Sequence, residues 1–143
     1  MDSKTILITG STDGIGKITA TTLAKQGHTV IVHGRNKAKA EKVCQEIKSE
    51  TGSSRVDYTI ADLLSLADVK QMADEFNKKY EQLDVLINNA GAFFGKKRET
   101  TKEGFEKTIT VNLLAPFLLS QLLLPILAKS GSARIINLSS AMH

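Results

Sequence analysis

The stretch T-G-S-T-D-G-I-G, residues 9 to 16, constrains this chain more than any other. It follows the short apolar run K-T-I-L-I-T and leads into a helical pattern from about Ile15 to Gln26. A strand, a glycine-rich turn and a helix in immediate succession leave few layouts open. Gly10 permits the tight turn, Gly14 lets backbone approach a pyrophosphate, and Gly16 lets the helix pack closely on the strand. The helix would then aim its leading N–H groups and positive end at the phosphates. Gly10, Ser11, Thr12, Asp13, Gly14, Ile15 and Gly16 are therefore candidate cofactor-binding residues. The spacing is G-x-x-x-G-x-G rather than G-x-G-x-x-G, and glycines serving only a structural turn are the plainer alternative.

The rest of the chain repeats the alternation. T-V-I-V-H reads as a second buried strand, and R-V-D-Y-T-I-A, D-V-L-I-N-N-A-G and R-I-I-N-L as three more. The first helix carries Ile15, Ile18, Thr22 and Leu23 on one face. Asn36 can cap the second, whose apolar face holds Ala40, Val43 and Ile47 and which Thr51-Gly52 ends. Ser65 and Asp68 form a capping pair for a third, with Leu66, Val69, Met72, Phe76 and Tyr80 at helical spacing. Thr100 and Glu103 offer a cap for a long helix running through Leu127. Short β-rich runs alternating with helices predict an α/β fold, a doubly wound parallel sheet of Rossmann type in one domain spanning residues 1–143.

Composition narrows the partners. The net charge is +4, but the lysines are scattered along helical stretches. A phosphate-bearing small molecule suits such a surface better than nucleic acid, which calls for a dense basic stripe interleaved with aromatics. The single cysteine, Cys44, shares helical spacing with Ala40, Val43 and Ile47 and reads as core filler. It builds neither a disulfide nor a metal cluster and fits a reducing, cytoplasmic setting. No secretory leader is evident at the start. Val111 to Leu127 is strongly apolar, yet it contains Asn112, Pro116, Ser120, Gln121 and Pro125, so a buried helix is expected rather than a membrane span.

The end of strand two reports on the dinucleotide. An acidic residue there would bind a bare ribose, as in NAD sites. This chain has His33, Gly34, Arg35 and Asn36 instead. Arg35 can set a forked cation against a 2′-phosphate, which favours NADP (NADPH); an exposed arginine at a helix start is the alternative. Pro116 removes the partner of the Asn112 carbonyl inside the long helix. That either frees the carbonyl for a functional contact or merely kinks the helix.

T-G-S-T-D-G-I-G, H-G-R-N, A-D-L at 61–63, N-N-A-G at 88–91, V-N at 111–112 and R-I-I-N-L-S-S at 134–140 occur in the order found in short-chain dehydrogenases/reductases, which the whole chain resembles. The arginine of G-R-N and E-T-T-K-E-G-F-E-K-T-I-T-V-N resemble the retinol-dehydrogenase-like members. The resemblance implies an NADP-dependent oxidoreductase interconverting an alcohol and a carbonyl by hydride transfer. It places Asp62 and Leu63 at the adenine, and Asn88, Asn89, Ala90 and Gly91 at the adenosine ribose and sheet. Asn112 becomes the active-site asparagine and Ser140 the catalytic serine, with Ser139 its neighbour.

The family's Tyr-x-x-x-Lys pair is missing from these 143 residues. Tyr58 and Tyr80 are the only tyrosines, and Asp62 and Asp84 stand four residues after them. His143 could shuttle protons but reads as incidental. The resemblance therefore implies a cofactor-binding domain incomplete relative to the family, its sheet stopping after the fifth strand and leaving that strand as an edge. Weak nucleotide binding and little or no turnover are expected of the chain alone, and a homo-oligomer if full length. Phe93 and Phe94 suggest an apolar small-molecule substrate, or else core caps, with Lys96, Lys97 and Arg98 in a solvated loop. A non-catalytic dinucleotide-binding or assembly module is the alternative function.

Overall fold

The computed structural model describes residues 2–92, 94 and 97–138. Ser139, Ser140, His143, Phe93 and Lys96 lie outside the described residues. Five parallel strands, β1 (Thr5–Ile8), β2 (Thr29–Gly34), β3 (Val56–Ile60), β4 (Val85–Asn88) and β5 (Arg134–Asn137), lie in the order β3-β2-β1-β4-β5. The helices are α1 (Gly14–Lys25), α2 (Lys37–Thr51), α3 (Leu66–Lys79), a single turn α4 (Lys107–Ile109), a π-helical stretch Thr110–Leu114, and α5 (Ala115–Ala128). The period of two along β1 assigns the layers. Ile6 and Ile8 join the apolar core that includes Ala20, Ala24, Val43 and Ile47 of α1 and α2. Leu7 joins the opposite core, with Val69, Met72 and Phe76 of α3 and Leu119 and Leu123 of α5. The doubly wound parallel sheet is thus as the alternation predicts.

Helix starts follow the local chemistry, with one exchange of roles. Asn36 Oδ1 accepts from Lys39 N–H at 3.0 Å, and Ser65 Oγ from Asp68 N–H at 3.2 Å. Glu103, however, does not cap the long helix. Its Oε1 accepts from Leu66 N–H at 2.7 Å and its Oε2 from Ala67 N–H at 3.2 Å, so it caps α3 from across the fold. A short antiparallel bridge between Thr100 and Glu106 folds this segment back, and the positive end of α3 attracts the carboxylate. Replacing Glu103 by Ala is expected to lower stability by about 1 kcal/mol, the usual cost of a lost cap, as read from thermal unfolding.

α1 departs from expectation. Its buried residues are Gly16, Ala20 and Ala24, whereas Ile15 is 71% and Ile18 67% exposed. At Gly16 the helix lies against the turn so closely that a β-carbon would not fit, while Ala20 and Ala24, with Leu23 beside them, pack on the apolar core over the sheet. The long helix is likewise not wholly buried. Ala115, Leu119, Leu123, Ile126 and Leu127 face the core, while Leu113, Phe117 and Leu124 are exposed. By length and composition, Lys107–Ala128 is the one described helix long and apolar enough to cross a membrane.

Cys44 is buried, and burial foremost pushes its thiol up to about 11. The thiol is therefore core filler and is expected to stay unmodified by thiol reagents in the folded chain until denaturant is added.

Candidate functional site

The strand order reverses between β1 and β4, so the loops leaving these strands flank a crevice at the carboxyl end of the sheet. The glycine turn sits there. Gly10 takes φ +61° and Gly14 φ +54°, conformations that L side chains rarely adopt. A β-carbon on Gly10 would stand 2.9 Å from Ala90 Cα, whereas one on Gly14 would meet nothing within 4 Å. Gly14 thus offers bare backbone on the open side of the turn. Asp13 precedes α1 without capping it, and its carboxylate pairs with Lys39 instead. Among the described residues, no acceptor takes the N–H groups of Gly14, Ile15 and Gly16.

Two sets of bonds hold this turn. From β4, Asn89 Nδ2 donates to the Thr9 carbonyl at 3.1 Å and the Gly10 carbonyl at 3.0 Å, while Asn89 and Ala90 N–H both donate to Thr9 Oγ1 at 3.0 Å. From β2, His33 N–H donates to Ser11 Oγ at 2.9 Å, and Ser11 Oγ donates to the Ile8 carbonyl at 2.7 Å. Ser11 is fully buried, and its hydroxyl is spent inside the fold. It shapes the turn from within. Asn88 holds the sheet, one of the two roles expected of it. It is buried and donates to Ser120 Oγ at 3.2 Å and Asn137 Oδ1 at 2.8 Å, joining β4 to α5 and β5.

Arg35 is exposed just past the end of β2, with no ion pair among the described residues. Asn36 beside it spends its Oδ1 on the α2 cap. Past β3, Asp62 Oδ1 accepts from Leu64 N–H at 2.9 Å and its own N–H donates to Asp68 Oδ2 at 3.2 Å, which fixes the A-D-L segment. A cleft of about 660 Å³ opens between Asp62, Ser65 and Asp68 on one side and Thr101, Glu103 and Lys107 on the other.

Asn112 lies in the π-helical stretch, which ends at Leu114, two residues before Pro116, and is closed by Ala115 N–H donating back to the Thr110 carbonyl. The widened turn, rather than a simple kink, accommodates the missing proline donor. Asn112 Oδ1 accepts from Ala92 N–H at 3.0 Å and its Nδ2 donates to the Ala92 carbonyl at 2.8 Å. The long helix is so locked to the loop after β4. Gly91 stands at this lock, where a β-carbon would come 3.2 Å from Asn112 Oδ1.

Neither tyrosine is free for acid–base work. Tyr58 hydroxyl donates to Glu41 at 2.8 Å, and that bond foremost raises its pKa. Tyr80 donates to Asp57, and burial followed by that carboxylate lifts it far above the usual phenol range. Among the described residues, no cluster of His, Cys, Asp and Glu could hold a metal ion.

A five-stranded, doubly wound parallel sheet with a glycine turn at its switch point defines an α/β domain of Rossmann type. Residues 4–143 match the family model described as short chain dehydrogenase, and the chain belongs to that family of oxidoreductases. It is 43% identical over 141 residues to human polyprenol dehydrogenase, covering 96% of this chain and 42% of that protein. Mouse retinol dehydrogenase 13 is 44% identical over 140 residues, covering 98% and 42%. A short chain dehydrogenase from Escherichia coli CFT073 complexed with NADPH superposes with a TM-score of 0.85 at 36% identity, covering 99% of this chain and 60% of that one. The chain spans about two-fifths of the length of the curated relatives it matches.

Proposed function

We propose that this chain forms the cofactor-binding part of an NADP-dependent oxidoreductase that interconverts an alcohol and a carbonyl. The observation that carries this reading is the first turn of α1, whose N–H groups at Gly14, Ile15 and Gly16 have no acceptor among the described residues, beside a glycine that presents bare backbone. The donors fit a pyrophosphate. Arg35 fits a 2′-phosphate, since it is exposed and in no ion pair among the described residues. Asp62 and Leu63 would hold the adenine, and Ala90 and Gly91 the ribose side of the crevice. A bound nicotinamide would supply or accept the hydride. The chain's part is to bind the dinucleotide, aim it across the carboxyl ends of β1 and β4, and fix Asn112 against the β4 loop. Ser140 is proposed as the group that polarises the reacting oxygen.

The proton donor is outside this set, because Tyr58 and Tyr80 are committed to carboxylates. The 143-residue chain is therefore expected to bind NADPH without turning over a carbonyl substrate. Isothermal titration with NADPH and NADH tests the cofactor, and hydride transfer by the purified chain would overturn the inactivity. Arg35→Ala is expected to weaken NADPH by about 10- to 100-fold and leave NADH nearly unchanged, since a charge-assisted bond is worth about 1.5–3 kcal/mol. Equal losses for both cofactors would remove Arg35 from the 2′-phosphate.

A further inference from the structure

His33 is 3% exposed, and the reading above gives it no role. Its imidazole spans two loops of the site. Gly10 N–H donates to Nδ1 at 2.9 Å, and Nε2 lies 3.0 Å from the Ala61 carbonyl oxygen. An N–H group can be received only by an unprotonated ring nitrogen, and a carbonyl only by a ring N–H. Both contacts hold together in one form of the side chain, the neutral Nε2–H tautomer. The backbone of the same residue grips the turn as well, since its carbonyl accepts from Ser11 N–H at 2.9 Å.

We propose that His33 is a positioning residue of the phosphate-binding turn: as the neutral Nε2–H tautomer it ties Gly10 to Ala61, fixing the glycine turn relative to the segment that carries Asp62 and Leu63. The inference rests on the dinucleotide reading of that turn. Charged groups on the elements around the imidazole are Asp13 in the turn, Arg35 after β2 and Asp62 after β3. None bonds to the ring; Asp13 pairs with Lys39, and Asp62 accepts from Leu64 N–H. No carboxylate offsets the burial, which foremost holds the imidazole below its usual range against the opposing pull of the Ala61 carbonyl. A proton on Nδ1 would set two donors against each other at Gly10. In the folded chain the ring therefore stays neutral, and the tie intact, to below the ordinary histidine value of about 6.5, and the tie loosens only as pH falls through the lower folded value.

The test combines ring-nitrogen and amide NMR on the full chain with NADP+ titration of His33→Asn and His33→Leu. Asparagine keeps an acceptor where Nδ1 stands but loses the bond to Ala61, and leucine loses both. The wild-type ring is expected as neutral Nε2–H at about pH 7. Gly10 amide exchange and the NADP+ dissociation constant should each rise about 10-fold or more in His33→Leu; in His33→Asn, Gly10 exchange should stay within about 3-fold of wild type while the dissociation constant still rises by about 3-fold or more, because the tie to Ala61 is lost. A ring carrying its proton on Nδ1, or a leucine variant with wild-type Gly10 exchange, overturns the proposal. A merely structural role predicts that both variants lose stability and binding in parallel, with no rescue by asparagine. If the wild-type chain bound no NADP+, the cofactor reading would fail and this inference with it. The tautomer and Gly10 exchange would then separate a turn tied by His33 from one that is not.

Discussion

Gly16→Ala is expected to abolish NADPH binding and to cost about 3 kcal/mol of stability, the upper end of what overpacking usually costs. A β-carbon there would run into the Gly10 carbonyl oxygen and stand 2.5 Å from Asn89 Nδ2 and 2.9 Å from Ser11 Cα. These are backbone atoms or a side chain already bonded on both sides, because Asn89 Nδ2 holds the Thr9 and Gly10 carbonyls. None can move without opening the turn that presents the α1 N–H groups. Gly14→Ala makes the informative comparison. Its β-carbon meets nothing, so the penalty is left-handed strain alone, about 1–2 kcal/mol. That variant should fold and still bind NADPH less well, because the new methyl stands on the open side of the turn. Chemical denaturation and NADPH titration of both variants separate the two effects. Wild-type affinity in Gly16→Ala would mean that the turn is not packed against α1 as described.

The same contrast explains what the sequence disclosed and what it concealed. The strand–turn–helix order, the Asn36 and Ser65 caps and the parallel alternation are local, and each is encoded within a few neighbouring residues. Face assignment in α1 failed because apolar periodicity assumes that the larger side chains turn inward. Here close approach to the turn excludes any side chain at Gly16, while Ala20 and Ala24 complete the inner face on the apolar core and Ile15 and Ile18 are left outside. The α3 cap supplied by Glu103 is separated from Leu66 by 37 residues, so no local pattern announces it. Capping chemistry was visible at Glu103, but its owner was not.

The candidate site divides along the same line. The glycine turn and Asn112 were legible because their residue types are demanded by backbone conformation and by the proline that follows. Ser11 and Asn88 were ambiguous in the sequence because small polar residues next to a ligand crevice are equally suited to holding the crevice's walls. In the structure Ser11 buries its hydroxyl against Ile8 and His33, and Asn88 reaches Ser120 and Asn137. His33 stood at the head of H-G-R-N with no role assigned to it. A signal was present in retrospect, since a histidine within the apolar run T-V-I-V-H must satisfy two ring nitrogens in a buried strand.

Asp84→Ala should produce the other large effect, about 3 kcal/mol of lost stability, for a reason remote from the site. Asp84 is 3% exposed at the entry to β4. Its Oδ2 accepts from Thr5 N–H at 2.8 Å and Gln82 Nε2 at 2.7 Å, and its Oδ1 from Ser130 Oγ at 2.7 Å. Its own N–H donates to the Thr5 carbonyl, and its carbonyl accepts from Arg134 N–H, each at 2.9 Å. One residue thus joins β1, β4, the end of α5 and the start of β5. Alanine strands the Thr5 and Ser130 donors, whereas asparagine keeps an acceptor for one of them and should recover about half of the loss. Burial pushes the Asp84 carboxyl up, but the bonds from Thr5, Ser130 and Gln82 and the charge of Lys4 outweigh it and hold the group below the usual carboxylate range. The folded chain therefore binds this proton less readily than the unfolded one. Its contribution is complete above the unfolded value of about 3.9 and fades as pH falls through the lower folded value. Urea midpoints of wild type and Asp84→Asn should accordingly differ most at neutral pH and converge in acid. A gap that stays constant down to about pH 2 would show that the carboxylate's charge has no part in holding the strands together.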